Sequence, residues 1–306
     1  MITDPDAPPA KIGVGWKLTL AGLERLPQGL LSRMVGRLAD IPVPRFLRRP
    51  LYGGFARMVG IDLDEVERPL VAFATFDAFF VRKLREGVHD WPSDPSVLTS
   101  PVDGVVGACG TIDEGTAIQA KGRSYRVSEL LGDEEQAAAY GGGLFLTLYL
   151  SPRHYHRIHT PTEGRVTSAR HLPGLLLPVN EAAVALVDQL FARNERLCCT
   201  VDGPLGSIAV VAVGATNVGR ITVSFDDEWG TVRGVTNQGA QRRESGRRYQ
   251  EPPAVGQGDE LMAFHLGSTV VLLTEPGLHL APGLRAGREV RVGEPLARRP
   301  PDSGVS

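Results

Sequence analysis

The strongest restriction on the fold of this 306-residue chain is a long series of short apolar runs separated by glycine and proline. Stretches such as "GLFLTLYLSP", "GSIAVVAVGATN" and "STVVLLTEP" are rich in β-branched residues and are bounded by turn formers. Runs of this length and composition are typical of β-strands. They predict a largely β domain over about residues 96–297. No run reaches the roughly 18 apolar residues that a membrane-spanning helix needs.

The segment before this domain is basic and has helical periodicity. Residues 11–57 contain nine basic residues and two acidic ones, although the whole chain carries a net charge of −2. "PQGLLSRMVGRLAD" places Leu30, Met34 and Leu38 on one helical face, and "PRFLRRPLYGGFARMVG" predicts a second helix that Pro50 should break or bend. Such helices can lie in the interface of an anionic bilayer. The residues alone equally allow a helical layer packed on the protein's own core with a solvated arginine face.

The chain is predicted to contain four segments of different character. They are a disordered N-terminus, basic amphipathic helices, a β-rich domain and a flexible tail, at residues 1–10, 11–70, 71–297 and 298–306. The fold class is α+β, with a mostly antiparallel β core domain, N-terminal amphipathic helices and one internal helix, "PVNEAAVALVDQLFARNER". A short helix with an aromatic face is expected at residues 75–85, and a long loop at residues 226–259.

Composition excludes several classes of protein. The net charge of −2 lacks the basic character of a nucleic-acid-binding protein. The three cysteines, Cys109, Cys198 and Cys199, form no Cys-x-x-Cys pair, so neither a disulfide framework nor a zinc site is indicated. The N-terminal "MITDPDAPPAK" lacks the charged and apolar regions of a signal peptide. We therefore expect a protein of a reducing compartment with no nucleic-acid partner.

Histidines are concentrated in one stretch, "SPRHYHRIHTP", which contains His154, His156 and His159. Metal binding, acid–base catalysis and a purely structural role are all compatible with this spacing. Asp103 lies in the turn sequence "SPVDG", where an aspartate before glycine most often serves the turn itself. It would gain a chemical role if the fold brought it to a histidine, because a carboxylate orients an imidazole and stabilises its charged form.

The stretch "FHLGSTVVLL" reads as one buried strand over residues 264–273, interrupted by Gly267 and Ser268. Glycine weakens a strand unless close backbone approach requires it. A serine hydroxyl can attack the carbonyl just before it when a base is near. The resulting ester can break by β-elimination, and loss of ammonia from the dehydroalanine then leaves a pyruvoyl group at position 268. The glycine before the serine suits this chemistry because it adds no side chain.

Together these motifs resemble phosphatidylserine decarboxylase proenzymes of the bacterial and mitochondrial type. The resemblance covers about residues 72–297 in family order. It rests on "FDAFFVRKLREGV", "SPVDGVV", "IQAKGRSYRVSELLG", "TLYLSPRHYHRIHTPTEGRV", "PVNEAAVALVDQLFARNER", "VAVGATNVGRI" and "FHLGSTVVLL". Three residues depart from the family pattern: His154 replaces a usual aspartate, Met262 a usual glycine, and His265 a usual basic or polar residue. These departures raise the question of whether His154 perturbs the pKa values of its neighbours.

The resemblance implies a self-processing, pyruvoyl-dependent lyase and suggests a role for each site residue. Ser268 is implied as the nucleophile that cleaves its bond to Gly267, as the source of the covalent pyruvoyl cofactor and as the Schiff-base centre. Asp103, His159 and Ser268 match the family's self-cleavage triad, in which the histidine takes the serine proton and the aspartate holds its tautomer. His156 matches the histidine of the decarboxylation step. No metal is implied.

The implied reaction converts phosphatidylserine to phosphatidylethanolamine and carbon dioxide, with the pyruvoyl group as electron sink. The resemblance implies a heterodimer of a β chain, residues 1–267, and an α chain, residues 268–306, and suggests a dimer of these. Because a lipid must be reached at the bilayer, we expect the basic helices to bind an anionic membrane surface on the cytoplasmic side of the cell membrane. The alternatives are a pyruvoyl decarboxylase of another amino-acid-type substrate and a non-enzymatic zinc-binding β domain.

Overall fold

The computed structural model describes residues 28–120, 123–216, 220–227, 244–265, 267 and 269–301. The predictions for residues 1–10, for the start of the basic segment and for the last five residues lie outside these ranges. The helices are α1 (Gln28–Ala39), α2 (Arg45–Val59), α3 (Phe76–Phe80), α4 (Val127–Leu131), α5 (Glu134–Ala138), α6 (Glu181–Leu186) and α7 (Leu190–Arg193), with a 3₁₀ turn at Leu70–Ala72.

All the strands of the described residues lie after residue 96, where the pattern of apolar runs predicts them. They are β1 (Val97–Thr99), β2 (Gly104–Thr111), β3 (Thr116–Ala120), β4 (Arg123–Arg126), β5 (Leu144–Tyr149), β6 (Arg157–His159), β7 (Gly164–Leu172), β8 (Arg196–Gly203), β9 (Gly206–Val213), β10 (Arg220–Val223), β11 (Ser245–Arg248), β12 (Ala254–Val255), β13 (Glu260–His265), β14 (Thr269–Thr274), β15 (His279–Leu280), β16 (Glu289–Val290) and β17 (Pro295–Arg298).

A nine-stranded sheet forms the centre of the molecule. Its order is β11-β7-β8-β9-β14-β5-β2-β16, with β12 also paired to β7. Every pairing between these strands is antiparallel, which confirms the predicted α+β fold with a mostly antiparallel β core. β14 lies in the middle, bonded to β9 on one side and β5 on the other, and all six of its residues are buried. Its apolar sequence, "TVVLLT", fits a strand that is covered on both faces.

A smaller sheet packs beside the large one and carries the histidine stretch. It contains β10, β13 and β6, in that order. Its apolar residues Ile158, Ile221, Leu261 and Phe264 belong to the same hydrophobic core as the nine-stranded sheet. A third sheet has the order β1-β17-β15, and β3 and β4 form a hairpin. The two sheets that share the main core position the site described below.

The N-terminal helices build a separate aromatic cluster. Tyr52 of α2 stacks on Phe79 of α3 with ring centroids 4.9 Å apart, and Phe55 meets Phe76 edge-on at the same distance. α2 continues through Pro50 without a break, contrary to one sequence-based expectation. The packing of Tyr52 and its neighbours supplies tertiary stabilisation to a helix whose local propensity is poor.

Three further expectations about local structure are wrong. The internal helix predicted over residues 178–196 is two short helices, α6 and α7, because Gln189 adopts a left-handed conformation with φ 53°. The loop predicted over residues 226–259 contains β11 and β12 in its second half, which add to the free edge of β7, while residues 228–243 lie outside the described ranges. The helix predicted over residues 75–85 ends at Phe80. α4 and α5 had no predicted counterpart.

Candidate active site

The Gly267–Ser268 bond lies where the chain passes from one sheet to another. β13 ends at His265 in the three-stranded sheet, and β14 begins at Thr269 in the nine-stranded sheet. The single strand predicted over residues 264–273 is therefore two strands of different sheets. Ser268 lies outside the described residues, as does Leu266, so the position of the serine side chain is taken up only as a proposal.

Gly267 approaches the ring of His156 more closely than any other residue type could. A Cβ atom built on Gly267 would lie 2.8 Å from His156 Nε2 and 3.4 Å from the carbonyl oxygen of Leu150. His156 cannot easily yield, because it is fully buried and its ring centroid lies 4.1 Å from that of Phe80. The backbone on the amino side of the predicted cleavage bond is thus in contact with one of the predicted catalytic histidines.

His156 is a neutral imidazole in a dry environment. Burial, together with the positive charge of Arg82, lowers the pKa of His156 to about 3. Neither ring nitrogen makes a hydrogen bond of good geometry with a described residue, although the backbone of His154 is near enough to oppose part of the lowering of the pKa. Buried polar groups are normally paired, so these nitrogens can bind a further polar group.

His159 is held by two contacts that fix its tautomer. Nδ1 lies 2.7 Å from the carbonyl oxygen of Gly258, and Nε2 lies 3.3 Å from the hydroxyl of Tyr155. A carbonyl oxygen only accepts, so Nδ1 carries the proton and Nε2 presents the lone pair. Burial lowers the pKa of His159, partly opposed by the Gly258 hydrogen bond. His159 is therefore available as a neutral base through Nε2.

Asp103 is close to the histidines but pairs with a different one. Its Oδ1 atom lies 3.1 Å from His89 Nε2 and accepts a 2.8 Å hydrogen bond from the backbone N–H of Val292. Burial opposes ionisation, yet the His89 contact and the Val292 N–H hold the pKa of Asp103 below its usual range. The turn containing Asp103 does reach His159, because the backbone N–H of His159 donates to the carbonyl oxygen of Pro101 at 2.8 Å. The described residues show no Asp103–His159 side-chain hydrogen bond.

The ring of Tyr155 lies between these two histidines. Its centroid is 5.6 Å from that of His89 and 5.5 Å from that of His159. Asp103, His89, Tyr155 and His159 thus form one contiguous cluster, in which the aspartate is separated from the base by two rings. His89 and Tyr155 were not identified from the sequence. Nothing in "REGVHDW" predicts that His89 reaches Asp103, while Tyr155 lies inside the histidine stretch that drew attention.

Two further charged groups border the cluster. Arg82 is buried and donates to the carbonyl oxygens of Arg153 and His154, at 3.1 and 3.3 Å. His154, the departure from the family pattern, accepts from the N–H of Ser151 at 3.0 Å, and burial lowers its pKa. The charge of His154, when present, contributes to the lowered pKa of His156. His154, which stands where the family usually has aspartate, therefore does affect the pKa of one neighbour, His156.

Metal binding finds no geometric support in the part of the chain that the structure describes. No group of three or more histidine, cysteine, aspartate or glutamate side chains there is arranged to hold an ion. All three cysteines are free thiols. None of the helices in the described ranges is both long and apolar enough to cross a membrane.

Comparison with known proteins places the chain in a family. The phosphatidylserine decarboxylase family model matches residues 76–298. A phosphatidylserine decarboxylase proenzyme of Anaeromyxobacter sp. (strain K) is 46% identical over 281 residues, which cover 92% of this chain and 98% of the relative. Proenzymes of the same name from Brevibacillus brevis and Azotobacter vinelandii are each 39% identical, over 94% and 92% of this chain and 99% and 98% of their own length. The chain belongs to the phosphatidylserine decarboxylase family.

Proposed function

We propose that this protein is a self-processing decarboxylase that converts phosphatidylserine to phosphatidylethanolamine and carbon dioxide through a pyruvoyl group derived from Ser268. Family membership supports the reaction. The observation that carries the proposal is the position of Gly267, at a crossover between two sheets and against a buried imidazole with two unpartnered nitrogens. A glycine is required there for close approach, and the adjoining bond is the one that the chemistry has to break.

Self-processing begins when the Ser268 hydroxyl attacks the carbonyl carbon of Gly267. His159 Nε2 accepts the hydroxyl proton, and its tautomer is already correct because Gly258 O binds the Nδ1 proton. Asp103 contributes negative charge to the cluster through His89 and stabilises the imidazolium that forms. The adduct collapses to an ester when the Gly267–Ser268 C–N bond breaks and the nitrogen takes up the proton held by His159. Removal of the α hydrogen of residue 268 by a base then drives β-elimination, which leaves Gly267 as a carboxylate and residue 268 as a dehydroalanine. Water then releases ammonia from the dehydroalanine at position 268 and leaves the pyruvoyl group.

The residues around Gly267 fit a pyruvoyl group at the next position. Gly267 has no side chain of its own, and the His156 ring, whose nitrogens have no hydrogen-bond partner among the described residues, lies directly against it. The group supplies the electron sink that takes up the electron pair left by carbon dioxide. His156 is proposed to orient the substrate carboxylate or to deliver a proton to the substrate α carbon. Because its pKa is lowered to about 3, the ring is neutral at rest: its N–H can donate a hydrogen bond to the carboxylate, whereas proton delivery requires that the ring first take up a proton. The same dry surroundings disfavour the charged carboxylate and so favour its loss.

Membrane binding is proposed to occur through α1 and α2. The predicted apolar face of α1 is turned outward, with Leu30, Met34 and Leu38 all exposed, and Phe46 and Met58 of α2 are 79% and 75% exposed. Exposed apolar side chains on this scale commonly mark an interaction site. The arginines on these helices with solvent-facing side chains are Arg37, Arg45, Arg49 and Arg57. Cations beside an apolar face fit the anionic inner leaflet of the cell membrane, which supports a peripheral enzyme on the cytoplasmic side.

An apolar groove lies beside this face. Its volume is about 430 Å³, and its lining residues are Val35, Leu38, Ala39, Ile41, Val43, Leu51 and Phe76. Phe76 contacts Phe80 with ring centroids 6.2 Å apart, and Phe80 packs on His156. The proposed membrane-binding helices and the candidate site are therefore joined by one aromatic cluster, although the groove itself does not reach His156.

The cleaved protein is proposed to remain a heterodimer of a β chain, residues 1–267, and an α chain, residues 268–306. The α chain would keep β14, which is bonded on both edges by strands of the β chain. A dimer of such heterodimers is suggested by the family resemblance alone.

The test is an intact-mass measurement combined with a decarboxylation assay. We expect two chains, with the 39-residue fragment lighter by one ammonia than a fragment that begins with serine. The Ser268→Ala variant should give one chain of full mass and no activity. The cleaved protein should release carbon dioxide from phosphatidylserine in mixed micelles. A wild-type chain of full mass would contradict self-processing. Release from free serine but not from phosphatidylserine would favour a pyruvoyl decarboxylase of another amino-acid-type substrate.

A further inference from the structure

The short helix α3 contacts His156 and also the end of the strand that leads to Gly267. α3 has Phe80 against the His156 ring at 4.1 Å, and Asp77, one helical turn earlier, binds His265, the last residue of β13. His265 is only two residues from Gly267. We propose that Asp77 is a positioning residue for self-processing, which fixes the end of β13 so that the Gly267 carbonyl stays in place for attack. This inference rests on the proposed self-processing reaction.

The ring of His265 is held from two sides. Nδ1 lies 2.8 Å from both Oδ1 and Oδ2 of Asp77, and Nε2 lies 3.2 Å from the hydroxyl of Thr222 on β10. Because a carboxylate only accepts, Nδ1 carries a proton and points at Asp77. A ring with both nitrogens bound has one orientation. The backbone at the end of β13 is thereby tied through its side chain to a helix outside the sheet.

Arg220 completes the set of contacts, which we call the Asp77 clamp: Asp77, His265, Thr222 and Arg220. Arg220 lies directly opposite His265 in the β10–β13 ladder, and its NH2 group donates to Asp77 Oδ2 at 2.8 Å. Side chains that lie opposite each other on paired strands are close enough for one group to bind both. The carboxylate of Asp77 lies between them and is largely buried. Burial opposes its ionisation, yet the contacts with His265 and Arg220 hold the pKa of Asp77 below its usual range.

A second carboxylate, that of Asp40, allows a positioning role of Asp77 to be distinguished from simple attachment of the helices to the sheet. Asp40, just after α1, receives two 2.8 Å hydrogen bonds from Arg220 but none from His265 in the described part of the chain. It is exposed, and its interaction joins the N-terminal helices to β10 without touching β13. If the network only attached the helices to the sheet, loss of Asp40 and loss of Asp77 would have similar effects. If the clamp positions Gly267, only the loss of Asp77 should matter.

The experiment compares four variants of the full-length chain. Processing is followed by the appearance of the 39-residue fragment in intact-mass spectra after a pulse of synthesis. We expect Asp77→Ala and His265→Leu to slow cleavage at least tenfold. His265→Lys, which keeps a hydrogen-bond donor for Asp77, should restore the rate to within about threefold of wild type, and Asp40→Asn should match wild type. The melting temperature of each variant is measured in a Ser268→Ala background, where no chain is cleaved.

A second readout uses whatever fraction of each variant matures. A displaced Gly267–His156 contact should lower kcat for decarboxylation and leave KM unchanged, whereas loss of membrane or substrate binding would raise KM. Wild-type cleavage rates in both Asp77→Ala and His265→Leu would overturn the inference. Equal slowing by Asp40→Asn, or failure of His265→Lys to rescue, would also overturn it. If the wild-type chain itself stays uncleaved, the proposed self-processing fails instead, so the two failures are distinguishable.

Discussion

The contact between Gly267 and His156 allows a prediction whose size follows from the geometry. In Gly267→Ala the new Cβ atom would start 2.8 Å from His156 Nε2, about 0.6 Å inside ordinary van der Waals contact. The ring of His156 is fully buried and lies against Phe80 with centroids 4.1 Å apart, whereas Gly267 is only partly buried, so the backbone of Gly267 has to move instead. The moving atoms are those of the bond that Ser268 is proposed to attack.

Overpacking of a well-packed interior costs about 1–3 kcal/mol. If that cost is relieved by displacing the Gly267 carbonyl, the barrier to attack rises by a similar amount. Cleavage should then slow between about fivefold and about 150-fold, since each 1.36 kcal/mol is a factor of ten. The assay is the rate at which the 39-residue fragment appears in intact-mass spectra. Gly54→Ala is the matched control, because a Cβ on that exposed helical glycine meets nothing within 4 Å.

A double variant tests the assigned cause. His156→Ala removes the ring that the new Cβ would strike, so His156→Ala/Gly267→Ala should be cleaved at close to the rate of His156→Ala alone. Cleavage of Gly267→Ala at the wild-type rate would refute the reasoning. So would a double variant as slow as Gly267→Ala, because the cost would then arise from something other than the ring.

Three further predictions concern catalysis, acid stability and membrane binding. His156→Ala should be cleaved normally yet lose at least about a hundredfold in kcat, the usual range for one acid–base group; full activity in a CO2-release assay would show that the two histidine roles were wrongly divided. Because the pKa of folded His156 is about 3 against about 6.5 when unfolded, the unfolded state binds more protons between these values, and stability is lost as pH falls through that window. Urea titrations at stepped pH give the free energy of unfolding of uncleaved Ser268→Ala as a function of pH. When His156 is replaced by Gln, the slope of that free energy against pH should be shallower by up to about 1.4 kcal/mol per pH unit, and an unchanged slope would contradict the neutral buried ring. Phe46→Glu should abolish flotation with anionic vesicles at low salt, whereas Ile118→Glu, at another exposed apolar residue, should not; equal flotation of both would argue against α2 as the docking surface.

The sequence predicts the fold well where local pattern and tertiary environment agree. The apolar run "GSIAVVAV" became β9, a central strand, and "LFLTLY" became β5. It fails where the chain changes direction inside an apolar run. Gly267 and Ser268 interrupt the run "AFHLGSTVV", but nothing local shows that the apolar residues on the two sides belong to different sheets. The break at Gln189 similarly lies within a continuous helical pattern and is set by how α6 and α7 pack.

The site shows the same division between local and long-range information. The histidine stretch and the Gly-Ser bond are visible in the sequence, and the structure brings Gly267 of that bond against His156 of that stretch. The roles that the family resemblance implies for Asp103, His156, His159 and Ser268 remain predictions. The sequence did not show which histidine pairs with Asp103. His89 lies in an unremarkable segment, and its pairing with Asp103 depends on how the chain before β1 folds against the β2 turn. The role of Gly258 as acceptor for His159 is carried by a backbone atom, which leaves no signature in residue type.

The central place of β14 also bears on how the mature protein could form. In the uncleaved chain this strand is covalently attached to the rest, so its insertion between β5 and β9 is an intramolecular event at high effective concentration. A cut before residue 268 turns the same insertion into an encounter between separate molecules. Denatured mature enzyme would have to reassemble at a rate that depends on protein concentration, with exposed strand edges in the meantime. The chain must therefore fold before it is cut. The active form would then persist because it unfolds slowly, not because it can refold.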